Sequence, residues 1–144
     1  MKIITYNVNG IRAAMGKGLA DWIKAASPDV LCLQEIKATP DVVDAAPFTA
    51  MGYELFWYPA EKKGYSGTAI FTRIKPDHVE YGTGMKPYDA EGRFIRMDLG
   101  DVSIMSTYFP SGTTGDERQG FKYRFLDDFL EYVSKLRKKR PHLI

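Results

Sequence analysis

One cysteine in 144 residues, Cys32, leaves no partner for an internal disulfide, so the core must hold without cystine staples. A reducing, cytoplasmic setting is expected, with Cys32 packed as a small hydrophobe in the run Val30, Leu31, Cys32, Leu33. Long apolar runs are missing too. None approaches the roughly 20 residues that span a membrane, and the brief run after Lys2 is too short for a signal-peptide core. No membrane partner is expected. Charge of one sign is also scarce: 20 basic against 18 acidic side chains leave +2, which permits a polyanionic partner without demanding one. Repeats, low-complexity tracts and internal linkers do not occur.

What is present reads as one globular domain over residues 1–144, since 44% hydrophobic and 26% charged residues are ordinary for a chain of this size. Residues 2–6 read as a strand. Leu19, Trp22, Ile23 and Ala26 recur at the spacing of one helix face, and Pro28 ends that helix. The apolar run Val30 to Leu33 reads as a buried strand, giving a βαβ opening and an α/β class. A short helix is expected around Val42 to Ala45. Strands are expected near Tyr53–Trp57, Gly67–Thr72, Asp77–Tyr81, Phe94–Asp98 and Val102–Tyr108. From Asp116 to Arg140, Phe125, Leu126, Phe129, Leu130, Val133 and Leu136 mark one long amphipathic helix. Its basic run Arg137, Lys138, Lys139, Arg140 suits a helix carboxyl end better than a nucleic-acid patch. Past Pro141, His142, Leu143 and Ile144 read as the first residues of another buried strand.

Three strands end on polar groups: the first on Asn7, the second on Gln34 and Glu35, the strand from Val102 on Tyr108. Ligands of open α/β sheets bind outside the carboxyl ends of strands, so Asn7, Glu35 and Tyr108 are candidates for one site. Glu35 supplies the hard anionic oxygen that Mg²⁺ takes, and one carboxylate suffices when water and phosphate fill the other positions. Asn7 can orient a carboxylate or phosphate through its amide. Tyr108 can donate to a phosphoryl oxygen as charge builds there. Each has a plainer reading: Glu35 as a solvated turn residue, Asn9-Gly10 as a turn pair, and Tyr108 as a core ring. Arg12, Lys17 and Lys37 flank these positions, and Lys62-Lys63-Gly64-Tyr65 forms a basic loop with an aromatic tip. Such loops can track a nucleic-acid backbone, or merely keep a hairpin soluble.

The segments TYNVNGIRA, LCLQEIKA, GYSGTAIFTR, EGRFIRMDLG and TYFPSG, in this order, resemble the successive motifs of the exonuclease III family of apurinic/apyrimidinic endonucleases, in the endonuclease/exonuclease/phosphatase superfamily. The resemblance runs from Met1 to Ile144. It implies a Mg²⁺-dependent phosphodiesterase, with Mn²⁺ as an alternative, acting on DNA with abasic sites or 3′-blocked ends. By motif, Glu35 would be the metal ligand, Asn7 a ligand or its organiser, and Tyr108 the phenol at the scissile phosphate. Asn9, Arg12, Lys37, Gly64 and Tyr65 would touch DNA.

The family's Gly-Asp-x-Asn motif, its later aspartates and its closing Asp-His pair do not occur, and neither His78 nor His142 has the context of that pair. The resemblance therefore implies the amino-terminal half of a four-layered αββα sandwich, cut before the Gly-Asp-x-Asn strand. One mixed sheet with helices on one face is expected, its bare apolar face covered by a second copy or by the missing carboxy-terminal half. Such a half should be weakly active or inactive alone. Two other functions stand beside this one. A non-catalytic nucleic-acid-binding or self-assembling half-domain would keep only the phosphate-contacting loops. A phosphatase of lipid or inositol phosphates is disfavoured by the GYSG and EGR motifs.

Overall fold

Ile3 and Ile4 open strand β1 (Ile3–Asn7), and two short helices, α1 (Ile11–Gly16) and α2 (Leu19–Ala26), lead to β2 (Val30–Gln34) in a computed structural model that describes residues 1–144. β1 and β2 pair in parallel from Ile3 beside Val30 to Asn7 beside Gln34, which is the βαβ opening the pattern predicts. Leu19 and Ile23 are buried on the α2 face, whereas Trp22 stays half-exposed against the Tyr6 ring at 5.2 Å.

The chain continues through α3 (Ala46–Ala50), β3 (Glu54–Tyr58), β4 (Thr68–Thr72), β5 (His78–Tyr81), α4 (Lys86–Asp89), β6 (Phe94–Leu99), β7 (Val102–Thr107), α5 (Asp116–Lys139) and β8 (His142–Leu143). The helix expected at Val42 to Ala45 is absent there. A 3₁₀ turn spans Pro40–Val42, and the helix begins later, with Asp44 Oδ1 accepting from the Ala46 N–H at 3.0 Å and Pro47 in its first turn. A proline in that turn lacks a donor that the helix would leave unpaired anyway.

Two four-stranded mixed sheets form, in the orders β1-β2-β4-β3 and β5-β6-β7-β8, where one was expected. The chain crosses between them at Arg73 to Asp77, around Pro76, which cannot extend a ladder. Along β2, alternate side chains serve two cores, as a strand buried on both faces requires. Leu31 and Leu33 join Phe71, Ile11, Ile23 and Phe48 under the helices. Val30 and Cys32 join Ile70 and meet Ile95, Met97 and Ile104 of the second sheet. Cys32 is thus core, and burial pushes its thiol up to about 12. On the outer side of the second sheet, Phe94 packs edge-on against Phe129 and Tyr132 of α5. The layers therefore run helix, sheet, sheet, helix within these residues.

The bare sheet face anticipated from sequence does not exist, because the two sheets cover each other. What stays open is a flank. β2 and β4 lie over β7 and β6, so the unpaired edges of β1 and β8 fall on the same side. A cleft of about 400 Å³ opens there between Ile3, Cys32, Gln34, Ile104, Met105 and Ile144. β8 runs parallel to β7, and Ile144, which follows it, is exposed. No helix is long and apolar enough to cross a membrane.

Candidate active site

The three strand ends converge. Asn7 Nδ2 donates to Glu35 Oε1 at 2.8 Å, Lys37 Nζ lies 3.0 Å from Glu35 Oε2, and the Tyr108 phenol is close enough to the same carboxylate to help lower its pKa. Asn9 completes the ring of contacts: its N–H donates to Asn7 Oδ1 at 3.0 Å, and its Oδ1 accepts from Lys37 Nζ at 2.6 Å. Burial alone would raise the Glu35 carboxyl. The hydrogen bonds from Asn7, Tyr108 and Lys37, with the Lys37 charge, outweigh it and hold the group below the usual carboxylate range. Burial, then the hydrogen bond to Glu35 and its charge, push the Tyr108 phenol up to about 12, so it stays protonated and able to donate.

Backbone strain concentrates on these residues. Asn9, Glu35 and Lys37 have φ of 45°, 52° and 50°, a left-handed conformation that costs a residue with a side chain about 1–2 kcal/mol. The strain persists because neighbouring segments over-determine it. The Gly10 N–H donates to Glu35 O at 2.7 Å, the Ile11 N–H to Ile36 O at 2.9 Å, and the Lys37 N–H to Ser66 O at 2.9 Å. The three loops are sewn together through main chain, and the side chains inherit that rigidity.

A second, adjoining hollow of about 240 Å³ carries Arg12, Lys37, Lys62, Lys63, Gly64 and Tyr65. Lys62 Nζ sits 5.3 Å over the Tyr65 ring, so the aromatic tip and the basic loop form one surface. All eight site residues expected from sequence thus fall in two contiguous groups at one end of the sheets: Asn7, Asn9, Glu35, Lys37 and Tyr108 in the first, with Arg12, Gly64 and Tyr65 beside Lys37 in the second.

Sequence reading assigned nothing to three charged residues behind this surface. Arg93 is buried, its Nε 2.6 Å from Glu91 Oε2, its Nη1 3.0 Å from Tyr108 O and its Nη2 3.2 Å from Tyr65 Oη. Arg118 grips the same Glu91 with two bonds, at 3.0 and 3.1 Å, and also reaches Tyr65 Oη at 3.1 Å. The only local signal was an acid and a base flanking Gly92 just before an apolar strand. Arg118 lies 27 residues from Glu91, and nothing in its own neighbourhood announces the pairing.

Glu91 makes a pH test available. Burial would raise its carboxyl, but hydrogen bonds from Arg118 and Arg93 and their charges hold it below the usual range. A folded value below the unfolded one means stability that is present above the ordinary glutamate value of about 4.3 and lost as pH falls through the folded value. Replacing Glu91 with Gln removes that part of the acid sensitivity. Urea midpoints taken downward from pH 5 should fall less steeply for Glu91→Gln than for wild type; equal slopes would dismiss the carboxylate as a contributor.

The donors around Glu35 suit a hard cation. They are one carboxylate and the amide oxygens of Asn7 and Asn9, with no nitrogen or sulfur ligand, as Mg²⁺ or Mn²⁺ prefers. A cationic group already stands in contact with Glu35 and Asn9, the Lys37 ammonium. No group of three His, Cys, Asp or Glu assembles anywhere in the chain, so water and a ligand's phosphate would have to fill the other positions.

The relatives agree with this architecture. An exodeoxyribonuclease of Bacillus subtilis is 38% identical over 100% of this chain and 56% of its own length, and a DNA-(apurinic or apyrimidinic site) endonuclease of Dictyostelium discoideum 37% identical over 98% and 39%. The chain thus spans about half the length of the curated relatives it matches. Solved structures superpose closely: an AP endonuclease from Archaeoglobus fulgidus (TM-score 0.83, 32% identity, 94% of this chain and 51% of that one) and a 3′-5′ exonuclease from Neisseria meningitidis (0.87, 28%, 99% and 55%). Residues 4–144 match the Endonuclease/Exonuclease/phosphatase family, and with the αββα layers and the strand-end site both in place, the chain belongs to that family.

Proposed function

We propose that this chain carries one wall of a Mg²⁺-dependent phosphodiesterase site for DNA with abasic sites or 3′-blocked ends, of the exonuclease III and apurinic endonuclease kind. The observation that carries the reading is the carboxylate Glu35 held by Asn7 at 2.8 Å and Lys37 at 3.0 Å, with the Tyr108 phenol beside it. Glu35 and the amide oxygens of Asn7 and Asn9 would hold the metal, with Mn²⁺ as the alternative ion. When bound, the metal supplies Lewis-acid polarisation of a phosphoryl oxygen. Tyr108 keeps its proton and donates it as a hydrogen bond to a phosphate oxygen as charge develops. Arg12, Lys62 and Lys63 hold flanking phosphates, with the Gly64 backbone and Tyr65 at the same edge.

Taken alone, the chain is weakly active or inactive. No group of three His, Cys, Asp or Glu gathers at its site, and losing members of a unit costs many orders of magnitude in rate. The unpaired edges of β1 and β8 would receive a carboxy-terminal half or a second copy. The buried, inert Cys32 fits the reducing conditions of the cytoplasm.

Fluorescence anisotropy with a labelled duplex carrying one abasic site tests the reading, with an incision assay in Mg²⁺ alongside. Binding should weaken with salt at a slope of about −2.7 to −3.6 in log K against log salt, from three or four phosphate contacts. Incision should be slow or absent. Salt-independent binding would overturn the DNA surface, and brisk turnover would overturn the inactivity of the chain alone. Affinity that is indifferent both to Mg²⁺ and to Glu35→Ala would favour the non-catalytic binding module.

A further inference from the structure

Arg93 is an expensive residue to bury. Its side chain is 2% exposed, and taking a guanidinium out of water is repaid only where its donors are matched. Here each of three nitrogens serves a different stretch of chain: Nε the Glu91 carboxylate, Nη1 the carbonyl of Tyr108, Nη2 the hydroxyl of Tyr65. The guanidinium also lies 4.9 Å from the centroid of the Tyr108 ring, and the Tyr108 N–H donates back to Arg93 O at 2.9 Å. Tyr108 is therefore fixed at its main chain on both sides and across its ring by one residue.

Tyr65 is fixed by the same residue from the other side. Its hydroxyl accepts from Arg93 and from Arg118, and both arginines share Glu91. Glu91 sits between two cations and cancels one of them, so the pair of arginines can converge on a single phenol without strong mutual repulsion. A lysine could not do this. Its ammonium presents three donors around one point, whereas the planar fork reaches three separated acceptors at once. The arrangement serves geometry more directly than stability, because an apolar side chain of similar volume in such a position is often as stable or more so.

We propose that Arg93, clamped by Glu91 and Arg118, is a positioning residue that couples Tyr65 of the basic loop to Tyr108 beside Glu35. The proposal rests on the phosphodiesterase reading for its purpose: the group that meets the flanking DNA and the group that faces the reacting phosphate are held at one fixed separation. Displacing the loop tip moves Arg93, and moving Arg93 turns the Tyr108 phenol.

The test is NMR of the full chain with ¹³Cζ-labelled tyrosine, which needs neither DNA nor metal. Tyr65→Phe removes one hydroxyl from a partly exposed ring and should leave the fold intact. The Tyr108 resonance is expected to move in this variant more than that of Tyr53, whose hydroxyl bonds Pro28 O away from the clamp. Arg93→Lys keeps the charge and loses the fork, and should move Tyr65 and Tyr108 together. An unmoved Tyr108 signal in Tyr65→Phe overturns the coupling even if Arg93→Lys fails to fold. Titration with abasic duplex separates the two readings. Wild type should shift Tyr65 and Tyr108 in concert, and Arg93→Lys should shift Tyr65 without Tyr108. A duplex that perturbs neither tyrosine overturns the DNA reading, while the Tyr65→Phe result still decides the coupling.

Discussion

Gly92→Ala should cost this protein about 2–5 kcal/mol, a large share of the roughly 5–15 kcal/mol that holds a domain of this size together. Gly92 sits at φ 58° in the turn before β6, where it must approach the other sheet closely. An added Cβ would stand 2.4 Å from Tyr58 O and 2.7 Å from Pro59 C. These are backbone atoms that cannot rotate away, and Gly92 O is itself tied to Thr68 Oγ1 at 2.9 Å. The clash adds to about 1–2 kcal/mol for forcing a side chain into left-handed backbone. Gly100 separates the two contributions. It has φ 53° with open space around it, so Gly100→Ala should show only the conformational part. Urea unfolding of the two variants decides the matter: similar small losses would mean that the turn at Gly92 has room to yield.

That turn was invisible to sequence reading for a physical reason. Periodicity locates a strand by its own alternation, and the bounds of β2, β4, β6 and β7 fall within about a residue of expectation because their apolar runs are long and clean. Pattern does not say which sheet a strand joins. The apolar runs at Thr68–Thr72 and Phe94–Leu99 look alike in sequence, yet they lie in different sheets facing each other. The helices show the same limit. On α5, Leu126 and Leu130 share the apolar spacing with Phe125 and Phe129, but Phe125 is the only buried residue of the helix and Leu130 is 68% exposed. Helix α1, six residues that include two alanines and Gly16, has too few turns for a period to register.

The candidate site was legible where chemistry sits at the end of an apolar run. Asn7 closes β1, and Glu35 and Tyr108 directly follow β2 and β7, so their places at strand ends brought them forward. Gln34 was passed over, although its Nε2 bridges the sheets to Thr5 Oγ1 at 3.0 Å and Ser106 Oγ at 2.9 Å. A polar residue inside an otherwise apolar strand carries that kind of information only once the facing strand is known. The left-handed backbone of Glu35 and Lys37 was equally hidden, because it is imposed by hydrogen bonds from loops distant in sequence.

Glu35→Ala should lower the affinity for Mn²⁺, read by calorimetry or by electron paramagnetic resonance, by about 100-fold or more, since it removes the one carboxylate among the donors. Asn7→Ala should cost about 10-fold, because it leaves the carboxylate in place and takes away its orienting bond at 2.8 Å. Lys37→Met should act in the opposite direction. The Lys37 ammonium, 3.0 Å from Glu35 Oε2, neutralises the charge an incoming cation would use, so removing it should tighten Mn²⁺ binding while weakening that of duplex DNA. No general loss of structure produces effects of opposite sign on two ligands. Unchanged Mn²⁺ affinity in Glu35→Ala would remove the metal from this site. Equal weakening of both ligands in Lys37→Met would mean that Lys37 braces Glu35 for the ion, with its ammonium part of the site's support.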